Sequence, residues 1–189
     1  MALLGSNNGN GRLTGENNNG IRWSYIGDVI AGKRHGRGKL NFADGRWYEG
    51  DWEYDKKSGK GKFVWPNNEV YDGEWLNDEI HGYGNFRYAN GNYYVGNFEH
   101  GKCSGRGKMC YPNGEWYDGD WVANRWHGEG TWHIITSDNI EGAYKGDFVN
   151  NARHGRGTIV FSERCRVEGF LYERNRPYSF NWVNDRPLI

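Results

Sequence analysis

Apolar and polar residues alternate in short arms along most of this chain. In 47–52, "WYEGDW", Tyr48, Gly50 and Trp52 share one parity and Trp47, Glu49 and Asp51 the other. In 60–65, "KGKFVW", Gly61, Phe63 and Trp65 alternate with Lys60, Lys62 and Val64. A period of two predicts strands with one apolar and one polar face. Between the arms stand Asp44-Gly45, Asn67-Asn68, Asn90-Gly91 and Asn113-Gly114. Such pairs between alternating apolar residues predict tight hairpins of the type I′ class, with positive φ at both central residues.

The arms recur at a fixed interval, the mark of a repeat architecture. A tyrosine opens the pattern at Tyr25, Tyr48, Tyr71, Tyr94, Tyr117 and Tyr144, and Val167 takes the next slot. The spacing is 23 residues throughout, except for 27 between Tyr117 and Tyr144. Two residues after each tyrosine comes glycine, and four after it Val29, Trp52, Trp75, Phe98, Trp121 or Phe148. A His/Ser-Gly-x-Gly element follows, starting at His35, Ser58, His81, Ser104, His127 and His154. Apolar residues two apart come next, from Leu40 and Phe42 in the first repeat to Ile159 and Phe161 in the last. Tyrosine, glycine and tryptophan at even offsets share a face, so rings there are expected to lie across bare glycines of neighbouring strands.

The opposite face carries charge sorted by strand. First arms are acidic (Glu49 and Asp51, Asp72 and Glu74, Asp118 and Asp120), and second arms are basic (Arg37 and Lys39, Lys60 and Lys62, Arg106 and Lys108). Cross-strand ion pairs follow, each worth some tenths of a kcal/mol when exposed. The four extra residues before Tyr144 place a turn at Asp138-Asn139 with two residues added to each arm, which preserves facing. The same construction puts a turn at Asn19-Gly20, giving two longer hairpins. The domain reading is a disordered tail at 1–8, a repeat array at 9–170 ending in a partial repeat at 167, and a capping tail at 171–189.

Tyr-x-Gly-x-Trp, His-Gly-x-Gly and Asp/Asn-Gly at these offsets resemble the MORN repeat (membrane occupation and recognition nexus), over about residues 25–170. The resemblance and the periodicity lead to the same fold: an all-β, single-layer solenoid of antiparallel β-hairpins with 23-residue repeats. It further implies scaffold proteins of cytoskeletal, ciliary or cortical assemblies that grip a helical or extended partner segment, or modules recruited to acidic phospholipids. Enzymes of the family carry a separate catalytic domain.

Composition narrows the partners. The chain has 189 residues, 30 of them glycine, with 10 tryptophans, 13 tyrosines and a formal net charge of zero. That balance gives no case for nucleic acid. No apolar run approaches the roughly 18 residues of a membrane span, and the first residues lack the charged flank and apolar run of a signal peptide. Three unpatterned cysteines, Cys103, Cys110 and Cys165, suggest reduced thiols in a cytoplasmic setting, with cytoskeletal, ciliary or membrane association following from the resemblance.

No catalytic, metal or cofactor site is expected. Recurring histidines two repeats apart would stand roughly 20 Å from one another, whereas zinc needs ligands at about 2 Å. Serine replaces histidine at 58 and 104, which suits a structural role. For Cys103, His100 and Ser104 no carboxylate at matching spacing stands out in the sequence, and "GKRHGRGK" (32–39) lacks phosphate-loop spacing. Two candidate surfaces remain on the charged face. Trp47, Tyr93 and Trp116 precede the repeat tyrosine and form a candidate stripe for a protein partner. Arg37, Lys39, Lys60, Lys62, Arg106 and Lys108 either pair with the neighbouring acids, as their equal number favours, or meet anionic lipid headgroups. A homo-oligomer is a further possible partner arrangement.

Overall fold

In the computed structural model, which describes residues 2–4, 8–167 and 170–188, each arm of the repeat is a strand, and no helix occurs among the described residues. The chain forms two compact units, one of residues 1–90 and 98–101, the other of 91–97 and 102–189. The first unit lays out β1 (Ala2–Leu4), β2 (Asn8–Glu16), β3 (Arg22–Ile30), β4 (Lys33–Phe42), β5 (Trp47–Glu53), β6 (Lys56–Val64), β7 (Val70–Leu76) and β8 (Glu79–Arg87) side by side in chain order. The second unit begins with β9 (Tyr93–Glu99, whose last two residues belong to the first unit) and continues through β10 (Lys102–Cys110), β11 (Trp116–Val122), β12 (Arg125–Ile135), β13 (Glu141–Val149) and β14 (Ala152–Phe161). A separate hairpin of β15 (Cys165–Val167) and β16 (Phe170–Tyr172) follows, and then β17 (Tyr178–Val183) and β18 (Arg186–Leu188) complete the unit. Neighbouring strands pair antiparallel.

A single-layer sheet has no second layer to bury its apolar face, so the rings supply one. Tyr48, Tyr71, Tyr117 and Tyr144 are wholly buried, as are Tyr25 and Tyr94. Gly50 and Gly61 stand opposite each other on β5 and β6, and the Tyr48 ring lies over both. A Cβ on Gly61 would collide with that ring. The Tyr48 hydroxyl donates to the Asp51 carbonyl at 2.9 Å, so a buried polar group is satisfied within its own strand. Trp52 and Trp75 meet Tyr48 edge-on, with centroids 5.0 and 5.4 Å away. Such pairs contribute about 0.5–1.5 kcal/mol each beyond the area they bury. Trp75 Nε1 donates to the Gly61 carbonyl at 2.9 Å, which ties one repeat to the one before.

The His/Ser-Gly-x-Gly element is a β-bulge. The β5–β6 register shifts between Gly50 and Trp52, leaving Ser58-Gly59-Lys60 opposite Asp51. The two extra residues are taken up around Gly59, whose φ of +60° suits a residue without a Cβ. The freed Lys60 amide donates to Asp51 Oδ2 at 2.9 Å. Asp28, Glu74, Asp120 and Asp147 do the same for the amides of Arg37, Tyr83, Glu129 and Arg156. The acid three residues after the repeat tyrosine therefore caps a bulge, a role that charge sorting alone does not reveal.

The type I′ turns lie at the other end of the hairpins from the one the sequence suggests. At Asp44-Gly45 only the glycine has positive φ (+94°), Gly45 N–H donates to the Phe42 carbonyl, and Phe42 N–H donates to the Arg46 carbonyl. That is a three-residue loop whose last residue is left-handed. Both central residues have positive φ instead at Ala31-Gly32, Tyr54-Asp55, Asn77-Asp78, Ala123-Asn124 and Asn150-Asn151. The longer hairpins turn where expected, with Gly20 donating to Asn17 and Asn139 to Thr136.

Both ends depart from the expected boundaries. Of the segment read as a disordered tail, residues 1 and 5–7 lie outside the described ones, while Ala2–Leu4 pair with Arg12–Thr14. The open edge of β2 offers unpaired backbone groups that a further strand satisfies. The expected partial repeat at Val167 is not the partner of β14, and Gly169 lies outside the described residues. β15 turns back on β16, and β14 pairs with β17, so that Ile159 faces Tyr178 and Gly155 faces Trp182. Residues 178–182, "YSFNW", therefore occupy the Tyr-x-Gly-x-Trp slot, with Phe180 opposite Gly157 where the other repeats pair glycine with glycine.

Candidate functional site

On the charged face, the nine candidate residues fall into two patches, one in each unit. In the first, Arg37 and Lys39 on β4, Trp47 on β5, and Lys60 and Lys62 on β6 occupy successive strands. Lys39 Nζ reaches Glu49 at 3.0 Å and also stands 4.5 Å from the centre of the Trp47 ring, with Lys62 Nζ at 6.0 Å. Arg37, with a side chain 90 % exposed, meets Asp51 at 3.5 Å. In the second, Tyr93 on β9, Arg106 and Lys108 on β10, and Trp116 on β11 lie together. Lys108 Nζ stands 4.0 Å from the Trp116 ring centre, and His133 stacks on that ring at 5.4 Å with 2° between planes. Arg106 meets Asp120 at 3.3 Å.

The aromatic and basic candidates are thus one kind of surface. Each tryptophan is half-buried beneath a lysine, and a cation over a ring is worth about 0.5–1 kcal/mol at an exposed site. Sequence reasoning separated them because it considered parity within a strand and not the diagonal across two. It also missed Leu76 and Tyr83, which are 49 % and 57 % exposed in the first unit, and Val122, which is 53 % exposed in the second. Leu76 and Val122 share the parity of the first-arm acids and Tyr83 that of the second-arm basic residues, which is the signal that would have found them on the charged face.

The ring-lined face holds unexpected cations. Arg34 stands 4.3 Å from the Trp52 ring centre and Lys57 4.9 Å from that of Trp75. They line a recess of about 330 Å³ with Trp23, Phe42 and Phe63. Burial pulls the Lys57 ammonium below the ordinary lysine range, and Asp78, 3.2 Å away, opposes that shift. In the second unit Arg153 is buried 4.0 Å from the Trp182 ring centre and 2.9 Å from Asp185.

Three of the recurring histidines, His35, His81 and His127, serve the fold through their carbonyls. Those of His81 and His127 accept from the hydroxyls of Tyr71 and Tyr117 at 3.3 and 3.2 Å. The His35 ring packs on Tyr54 at 4.8 Å. Among the described residues no group of three His, Cys, Asp or Glu side chains is placed to hold a metal ion. Cys103 and Cys165 are buried free thiols, and Cys110 is a half-buried one.

A comparison with curated proteins finds no match. The family model described as "MORN repeat" matches six times, at residues 25–45, 48–70, 71–93, 94–116, 117–135 and 144–166. These matches cover most of the chain and coincide with the hairpin, bulge and ring-over-glycine unit described above, so the protein belongs to the MORN repeat family.

Proposed function

We propose that this chain is a non-enzymatic scaffold that holds a helical or extended protein segment on its charged face, within a cytoskeletal, ciliary or cortical assembly of the cytoplasm. MORN repeats are generally protein- or membrane-interaction modules, and the family is typically non-enzymatic. The observation that supports the protein reading is the lysine-covered tryptophan in each unit, Trp47 under Lys39 and Trp116 under Lys108. A ring with a cation on top and apolar residues beside it offers what binding hot spots use: large rigid area and a charge that a partner can desolvate. The ring-lined face is committed to stability, because its tyrosines are wholly buried.

A second reading, recruitment to acidic phospholipid, draws on the exposure of Arg37 and on the basic pairs of β4, β6 and β10. Each basic residue near an anionic bilayer is worth about 1 kcal/mol, and salt weakens it. Sedimentation with phosphatidylserine vesicles at two salt concentrations, beside protein capture with matched variants, separates the two readings. Trp47→Ala with Trp116→Ala is expected to weaken protein binding about tenfold, or ~1.4 kcal/mol, and to leave the fold intact. Lys39→Ala with Lys62→Ala should cost less. Salt-sensitive vesicle binding lost with the lysines, without a protein partner, would replace the scaffold by the lipid module.

A further inference from the structure

Five of the six bulges are closed by a carboxylate from the preceding strand, and the fourth is not. At that place the chain has Asn97, whose Nδ2 donates to the Arg106 carbonyl at 3.1 Å. Among the described residues no side-chain oxygen lies on the Arg106 amide, whereas the equivalent amides of Lys60, Glu129 and Arg156 meet acids at 2.9, 3.0 and 3.2 Å. The space differs as well. A Cβ built on Gly59, Gly128 or Gly155 would meet a carboxylate oxygen at 2.7, 2.6 and 2.6 Å, while one on Gly105 would meet nothing nearer than Asn97 Cβ at 3.5 Å. This bulge therefore leaves the Arg106 amide without the carboxylate that its counterparts supply, beside an Asn97 amide group that donates to the Arg106 carbonyl.

Charge points the same way. Residues 91–97 and 102–110 contain Lys102, Arg106 and Lys108 and no acid, and the acids opposite them are Asp118 and Asp120 of β11, the latter 3.3 Å from the Arg106 guanidinium. The first-arm acids of other repeats are here Val95 and Asn97. Tyr93, 37 % exposed, and the half-buried Trp116 lie on the strands to either side of β10.

We propose that the bulge at Gly105-Arg106 receives a carboxylate from an acidic side chain of the bound protein segment, in the position that Asp51 or Asp120 takes in other repeats. The proposal rests on the scaffold reading and names the partner chemistry: an Asp or Glu flanked by apolar residues that lie on Tyr93 and Trp116. Backbone amides in a left-handed bulge are natural carboxylate receptors, and a charged acceptor strengthens the bond over a neutral one. The lysines around it add attraction at a distance.

The test uses the full ¹⁵N-labelled chain titrated with sodium acetate, with sodium chloride at matched ionic strength as control. The Arg106 amide proton should move downfield and saturate, while that of Glu129, already held by Asp120, should stay. In Asn97→Asp the chain's own carboxylate fills the place, so Arg106 should start downfield and ignore acetate. A short peptide with one Glu between Leu and Phe should shift Arg106 at concentrations about tenfold lower than its Gln counterpart. An Arg106 amide that responds no more than Glu129, or that still responds in Asn97→Asp, overturns the site and leaves the scaffold reading standing. Phosphatidylserine vesicles that shift Arg106 where the Glu peptide does not would overturn the protein origin of the anion. Loss of the scaffold reading for want of any protein partner would leave the acetate response unchanged.

Discussion

Asp55 holds Arg34 twice: its Oδ1 accepts from the Arg34 backbone amide at 2.9 Å and from Nε at 3.0 Å. The turn of one hairpin thereby fastens the strand of the hairpin before it. Lys57 with Asp78 and Arg153 with Asp185 repeat the arrangement. Where the strand residue is instead Ile80, Cys103 or Trp126, the turn residue is Gly101, Asn124 or Asn151, which keeps the backbone contact and carries no charge. Acid and cation occur together or not at all.

Asp55→Asn should therefore destabilise the fold by about 1–3 kcal/mol, since it leaves Arg34 against Trp23 and Trp52 without its anion. Combining it with Arg34→Ile, which copies the uncharged repeats, should restore much of the loss. A double-mutant cycle by urea unfolding reads this as coupling. Additive effects would show that the pair is not coupled.

Glycines of the repeat divide sharply by position. Gly61→Ala is expected to cost at least about 1–3 kcal/mol, because the new methyl group would strike the Tyr48 ring. Gly45→Asn should cost less than about 1 kcal/mol: nothing lies within 4 Å of a Cβ there, and asparagine tolerates its φ of +94° better than most residues. Equal melting temperatures for the two variants would contradict the ring-over-glycine packing.

Alkaline pH should unfold the protein through its buried tyrosines. Burial first, and then Asp28 and Asp147 respectively, push the Tyr25 and Tyr144 hydroxyls up to about 12. Tyr48, Tyr71 and Tyr117 are raised further by the same desolvation. The unfolded chain loses these protons near pH 10. Their contribution is thus complete below pH 10 and is lost as pH rises through 12. Each tyrosine removes up to about 1.4 kcal/mol per pH unit in that window. Urea midpoints should hold up to pH 10 and then fall steeply, and a midpoint unchanged from 10 to 12 would sink the assignment.

His81→Ser should be mild, within about 1 kcal/mol, because Tyr71 donates to the carbonyl of that residue and the side chain is replaceable. The residue five after the repeat tyrosine changes with it. Ile30, Leu76, Val122 and Val149 accompany histidine, whereas Glu53 and Glu99 accompany serine. Ser58 Oγ donates to Glu53 Oε2 at 3.4 Å. Leu76→Glu should accordingly be tolerated better with His81→Ser than alone. Thermal melts of the three variants test this, and a His81→Ser protein that fails to fold would assign the ring a larger structural role.

The strands, their period and the ring-bearing face were legible because each follows from parity, and parity survives wherever insertions come in twos, as they do before Tyr144. Turn class was not legible from Asp44-Gly45, since a single left-handed glycine satisfies a three-residue loop as readily as a two-residue one. Most of the true two-residue turns, such as Tyr54-Asp55 and Asn77-Asp78, carry no glycine to announce them. Bulge capping by Asp51 was hidden because a carboxylate facing solvent and one facing an amide have the same parity. The last repeat escaped because β15 and β16 interrupt the period and Phe180 stands where glycine was sought. The candidate residues Trp47 and Lys39 were each visible; that one covers the other depends on diagonal contact across strands, which no linear pattern records.

Phe180 also bears on how such an array could change over generations. Tandem duplication of a 23-residue unit inserts one more seam of facing glycines, and the copy inherits everything needed to join its neighbours. Beyond Gly157 that bookkeeping stops, because the facing residue is Phe180 and a tyrosine has no bare strand to cover. Growth by copying is therefore open within the array and closed at Phe180. Replacing this one side chain with glycine would give β14 and β17 the seam of facing glycines that the earlier repeats share.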